Sequence, residues 1–221
     1  MQRILLFGST GPTGVLLARE VLNVFEGITL VLYVRSPDKL PEDLKTNTSC
    51  IVIEGQLDDI PALSKAMESV DIVLSALGPS QFSQPPGTPL AHAYRRIVNV
   101  MKEKGVKRLI ALGTISIEDP EDQFNFVYYG MVKTVSITMH NAYKDIRAIG
   151  AVIRASQLEH WTIVRVPVLS NSTSKDVKVG YIGGKEIGNR ISLNRAGFAA
   201  FVVQEIGKKE WDCKAPVLVS V

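Results

Sequence analysis

A glycine-spaced turn constrains this chain more than any other feature. Gly8-Ser9-Thr10-Gly11-Pro12-Thr13-Gly14 follows the apolar run at residues 4–7 directly, then leads into Val15, Ala18, Val21, Leu22 and Phe25 at helical spacing. Glycines let a backbone turn tightly and approach a phosphate, whose charge the free amides and dipole of a helix start then hold. A phosphate-bearing ligand is implied. The spacing is G-x-x-G-x-x-G and not the G-x-G-x-x-G of the dinucleotide fingerprint, so its weight comes from its place on a first strand-to-helix turn.

The rest of the chain supplies that place. Apolar runs at 28–34, 50–53, 72–76, 108–112 and 162–166 read as further strands separated by helical patterns. The clearest helix covers 88–104, where Leu90, Ala93, Tyr94, Ile97, Val98 and Met101 keep a three-four spacing that Gly105 ends. A shorter one carries Ile60, Leu63, Met67 and Val70. Residues 127–155 read as one continuous helix with an apolar seam at Val135, Met139, Ala142, Ile146, Ile149 and Ile153, weakened towards its ends by Gly130 and Gly150. Beyond Pro167 the pattern is less regular, with an edge strand at 177–182 and a helix at 194–206 that Asn194 opens as N-cap. Strands alternating with helices predict right-handed crossovers and a parallel sheet covered on both faces. The expected fold is a doubly wound α/β domain over 1–221, Rossmann-like, with a small C-terminal substrate-side extension.

Composition narrows the classes of function. Apolar residues make up 46% of the 221, enough to fill a core, which excludes wholesale disorder. The net charge is +3 with the basic residues scattered, so no nucleic-acid partner is expected. Cys50 and Cys213 form no CxxC pair, and neither a metal site nor a disulfide framework is signalled. The apolar run after Gln2-Arg3 is too short for a signal peptide or membrane span, which predicts a cytoplasmic protein. The expected partner is a small-molecule substrate, with the chain as monomer or homodimer.

The second strand ends in Arg35-Ser36-Pro37-Asp38-Lys39, where an NAD binder usually carries a carboxylate for the ribose hydroxyls. A guanidinium matches a 2′-phosphate bidentately, with Ser36 and Lys39 as further donors, and NADP(H) is the inference. Two loops, 79–89 and 118–126, follow strand carboxyl ends, the edge at which open α/β sheets bind ligands. Within the first, the proline-rich 81–86 reads equally as a lid over the cofactor or as a rigid connector.

These residues, with Glu54-Gly55-Gln56-Leu57-Asp58-Asp59 after the third strand and Trp161-Thr162-Ile163-Val164-Arg165 on the sixth, resemble the atypical short-chain dehydrogenase/reductases. Within these the chain is most similar to the NmrA-like and biliverdin reductase B (flavin reductase)-like branch, and the likeness extends to Leu193-Asn194-Arg195-Ala196. The resemblance implies that Gln56, in place of the usual aspartate, and Leu57 lie against adenine. It further implies Ala76, Leu77 and Gly78 along ribose and pyrophosphate, and Val166 and Pro167 near the nicotinamide.

Typical relatives place Ser or Thr after strand five and Tyr-x-x-x-Lys on the next helix, tyrosine as proton donor and lysine lowering its pKa. Thr114 and Ser116 fill the first role. For the second, Tyr129-x-x-x-Lys133 matches by letters, whereas Tyr143-x-x-x-Arg147 has the better distance to strand six but carries an arginine that keeps its proton. Tyr129, Lys133, Ser136, His140, Tyr143 and Arg147 form one polar seam on a continuous helix, facing either cleft or water. His92, His140 and His160 read as boundary residues. The expected function is an NADPH-dependent reductase passing hydride to a carbonyl, enone or conjugated ring of a small hydrophobic molecule. An NADP(H)-sensing regulator without turnover, and a redox-silent isomerase or cyclase, stand as alternatives.

Overall fold

The computed structural model describes residues 2–79 and 84–221. Its strands are β1 (Arg3–Phe7), β2 (Thr29–Val34), β3 (Cys50–Glu54), β4 (Ile72–Ser75), β5 (Arg108–Thr114), β6 (His160–Val166), β7 (Val168–Ser170), β8 (Val177–Gly180), β9 (Ser192–Asn194) and β10 (Val217–Ser220). Eight of them form one sheet in the order β3-β2-β1-β4-β5-β6-β10-β8, and β7 pairs with β9 in a small parallel sheet beside it. From β3 to β10 neighbouring strands are parallel, while β8 closes the far edge antiparallel to β10. This is the doubly wound Rossmann-like α/β fold.

Central strands buried on both faces need continuous apolar runs and not alternation, and β1 meets that requirement with Ile4, Leu5, Leu6 and Phe7 all buried. Helices α1 (Pro12–Val24) and α7 (Arg195–Lys208) pack together on one face, with the short α2 (Glu42–Lys45) beside them. The opposite face carries α3 (Ile60–Ala66), α4 (Pro89–Glu103) and α6 (His140–Arg154), whose Ala142, Ile146, Ile149 and Ile153 are buried as the seam predicts. Helix α5 (Phe126–Thr138) covers the β10 end of the sheet, setting Tyr128 against Val217 and Val219.

Three expectations need correction. The continuous helix over 127–155 is two, because Met139 takes a non-helical conformation (φ −131°, ψ 46°) between α5 and α6. Tyr129 and Lys133 therefore stand on one helix and His140, Tyr143 and Arg147 on another, and the polar seam does not run through. The strand β10, inserted between β6 and β8, was not expected at all. Asn194 occupies the N-cap of α7 without capping it; its side chain accepts from Ser170 Oγ (2.6 Å) and donates to the Ser174 carbonyl (3.3 Å).

The sheet order sets where a ligand can lie. Chain direction along the sheet reverses between β1 and β4, and such a switch point leaves a crevice at the strand carboxyl ends. Register aligns Phe7 with Tyr33 on one side and Ser75 on the other, so Gly8, Val34-Arg35 and Ala76-Leu77 leave the sheet at one level.

Candidate functional site

A cleft of about 710 Å³ occupies this crevice. The glycine turn forms its floor. Gly8 adopts φ +80°, and a Cβ there would lie 2.9 Å from the Ala76 carbonyl carbon; one on Gly14 would come within 2.1 Å of the Gly8 oxygen. Both glycines are thus required by the turn itself. A Cβ on Gly11 would meet nothing closer than 3.5 Å, so the fold's own packing does not demand glycine there. Gly11 is also the N-cap of α1, and no side chain caps this helix start, leaving the Thr13 and Gly14 amides to an outside acceptor. Ser9 adds a second such group, since its Oγ is fully buried and has no partner among the described residues.

Of the positions expected to bind cofactor, Gly8, Thr10, Arg35, Ser36, Lys39, Gln56, Leu57, Leu77 and Gly78 line the cleft. Ser9, Gly11, Pro12, Thr13, Gly14 and Ala76 belong to the same turn and strand end but not to the described lining, while Val166 and Pro167 stand at the end of β6. The Tyr33 hydroxyl donates to the Gln56 carbonyl (2.7 Å), and burial, reinforced by Asp59 and Asp58, pushes its pKa up to about 12, so it stays a donor. A Cβ on Gly55 would lie 2.2 Å from that oxygen, which is why a glycine opens this segment.

The electrostatics favour an anion. Arg35, just beyond β2, and Lys39, in the turn that follows, line the cleft together with Arg96 from α4, and none of the three side chains has a hydrogen bond or ion pair among the described residues. Asp58 is the one carboxylate in the described lining. Arg96 and His92, one turn apart on α4, were missed by sequence reasoning; their four-residue spacing put them on one face, but which face meets the cleft depends on how α4 packs. His92, read as a boundary residue, lines the cleft and pairs through Nδ1 with Arg95 (3.1 Å).

The candidate catalytic residues are not gathered in this described lining. Thr114 ends β5 on the same sheet edge, and its Oγ1 accepts from the Ser116 amide (3.2 Å); Ser116 is buried. Tyr129, on α5, is 60% exposed with its ring against that of Phe124, and Lys133 is exposed. Tyr143 lies in the first turn of α6, where its hydroxyl accepts from Arg147 (2.6 Å). That bond raises the Arg147 pKa further, so the guanidinium orients the phenol without relaying a proton. Segment 81–86, the candidate lid, falls partly outside the described residues. His160 sits at the opposite edge of the sheet, 2.6 Å from Asp212.

With this geometry in view, the family model described as NAD(P)H-binding matches residues 8–209. The chain belongs to the NAD(P)H-binding family. Solved structures share the fold of this NAD(P)H-binding protein. A short-chain dehydrogenase/reductase from Veillonella parvula in complex with NADP is 17% identical, with a TM-score of 0.80 over 99% of this chain and 94% of that one. ChuY, an anaerobillin reductase from Escherichia coli O157:H7, is 17% identical (TM-score 0.77; 99% and 97% covered). A Rossmann-fold NAD(P)-binding family protein from Shigella flexneri is 23% identical (TM-score 0.70; 100% and 94% covered). No curated protein matches the sequence. The uncapped amides of α1, the orphaned Ser9 hydroxyl and the unpaired cations fit a dinucleotide. No described helix is long and apolar enough to cross a membrane.

Proposed function

We propose that this NAD(P)H-binding protein is an NADPH-dependent reductase acting on a carbonyl, enone or conjugated ring of a small hydrophobic molecule. The observation that carries the reading is the cleft, with the glycine turn that opens an uncapped helix on its floor, and with Arg35 and Lys39, whose side chains have no partner among the described residues, just beyond β2. The Thr13 and Gly14 amides and the Ser9 hydroxyl would hold the pyrophosphate, Arg35 and Lys39 the 2′-phosphate, and Gln56 and Leu57 would flank the adenine. When bound, NADPH supplies the hydride that reduces the substrate carbon. Thr114 or Ser116 donates a hydrogen bond to the oxygen on which charge develops. A proton from Tyr143 or from water completes the reduction at that oxygen. Tyr143 is preferred to Tyr129 because its hydroxyl is held in place by Arg147, whereas Tyr129 is largely exposed.

The NADP held by the Veillonella protein and the reductase activity ascribed to the Escherichia coli protein support this reading by likeness of fold. A second reading, a cofactor-sensing regulator without turnover, draws on the absence of every candidate catalytic side chain from the described cleft lining. Calorimetric titration with NADPH and NADH, followed by single-turnover oxidation of bound NADPH against a panel of carbonyl and enone compounds, tests both. Binding with preference for NADPH and substrate-dependent oxidation is expected. Binding without oxidation by any compound favours the regulator, and no binding of either nucleotide overturns both readings.

A further inference from the structure

Asp145 is a fully buried carboxylate on α6 for which the proposed chemistry has no use. It accepts from the Leu90 amide (3.1 Å), the Ala91 amide (2.9 Å) and Gln84 Nε2. All three donors are neutral and all belong to the connection between β4 and α4 or to the first turn of α4. A buried charge is costly unless hydrogen bonds compensate it, and this one is spent on a helix start that does not support itself. Thr88, the N-cap of α4, adopts a left-handed conformation (φ 54°) and makes no side-chain cap, and Pro89 has no N–H. Asp145 therefore takes the first two amides that α4 presents. Its neighbour Asn141 adds a second tie, donating from Nδ2 to the Gln84 carbonyl (3.1 Å).

The segment held in this way is also a wall of the cleft, through Gly87, Pro89 and Leu90. These lie beside Leu77 and Gly78 at the end of β4, across β1 from Arg35 at the end of β2. We infer that Asp145 is a positioning residue: by latching residues 84–91 to α6 it sets the wall against which the nicotinamide half of the cofactor lies. The inference rests on the proposed cofactor orientation, with the 2′-phosphate at Arg35 and the pyrophosphate at the glycine turn. From there the dinucleotide extends past β4. Asp145 also shares its helical turn with Tyr143, so the wall and the proposed proton donor are held by one element.

Titration calorimetry on wild type, Asp145→Asn and Asn141→Ala with two ligands provides the test. NADPH spans the whole cleft, and 2′,5′-ADP fills the adenosine end alone. Asp145→Asn is expected to weaken NADPH about tenfold, as loss of a charged acceptor does, and to leave 2′,5′-ADP within about twofold because Asp145 bonds none of Arg35, Lys39, Gln56 and Leu57. Asn141→Ala is expected to act in the same sense but less. Hydrogen exchange of the unliganded protein should show the Leu90 and Ala91 amides losing protection in Asp145→Asn. Equal weakening of both ligands marks a merely structural role and overturns the inference, as does unchanged NADPH affinity. If Asp145→Asn does not fold, unchanged NADPH affinity in Asn141→Ala overturns it. Binding of neither ligand by the wild type overturns the cofactor reading, and the latch with it.

Discussion

Tyr33 near the end of β2 and Arg35 just beyond it act on the cleft in different ways. Tyr33 works through the backbone, fixing the Gln56 carbonyl and forcing glycine at position 55. Arg35 works through an unneutralised charge. Arg35→Asp is expected to weaken NADPH by roughly tenfold or more, the value of a charge-assisted phosphate contact, while NADH binding changes little. Calorimetric titration with both nucleotides checks this; equal losses would remove the 2′-phosphate assignment. The tyrosines divide likewise. Tyr143→Phe is expected to lower kcat by about a hundredfold if its phenol gives the proton, whereas Tyr129→Phe leaves kcat unchanged. Full turnover in both variants would assign the proton to water.

Among the elements, α6 carries the most constraints. Gly150, which weakens its helical pattern, faces Ile117 so closely that a Cβ would lie 2.7 Å from Cγ2. Alanine favours a helix interior over glycine by about 1 kcal/mol, yet Gly150→Ala is expected to destabilise by about 1–3 kcal/mol, because the branched Ile117 has no room to yield. Urea unfolding measures the sign directly. The same helix shows where reading the sequence succeeds and fails. Its apolar seam and strands β1 to β6 were legible because periodicity and apolar runs survive in one dimension. The break at Met139 was not, since a single residue leaving helical geometry preserves the three-four spacing on both sides. Asp145 sits in the buried seam between Ala142 and Ile146, a polar letter at a core position that hinted at a partner without naming it. The glycine turn and the basic strand end announced themselves through local chemistry. Arg96, His92 and the latch at Gln84 did not, because each depends on helix packing that spacing alone does not encode.

For the whole molecule, a ligand bound only by the folded state stabilises it by mass action. NADPH at a hundred times its Kd is expected to add about 2.7 kcal/mol, a rise of several degrees in Tm for a chain of this size. Thermal unfolding with and without nucleotide checks it, and NADH should give the smaller shift. The sheet also carries a consequence for the order of assembly. β8 has one neighbour, β10, which lies far downstream and separates it from β6. During synthesis the ribosome delivers the β8 segment first, and it waits unpaired until residues 217–220 emerge. The nucleotide cleft is built from strands translated well before that moment, so the nascent chain can complete its cofactor floor while its far margin is still open.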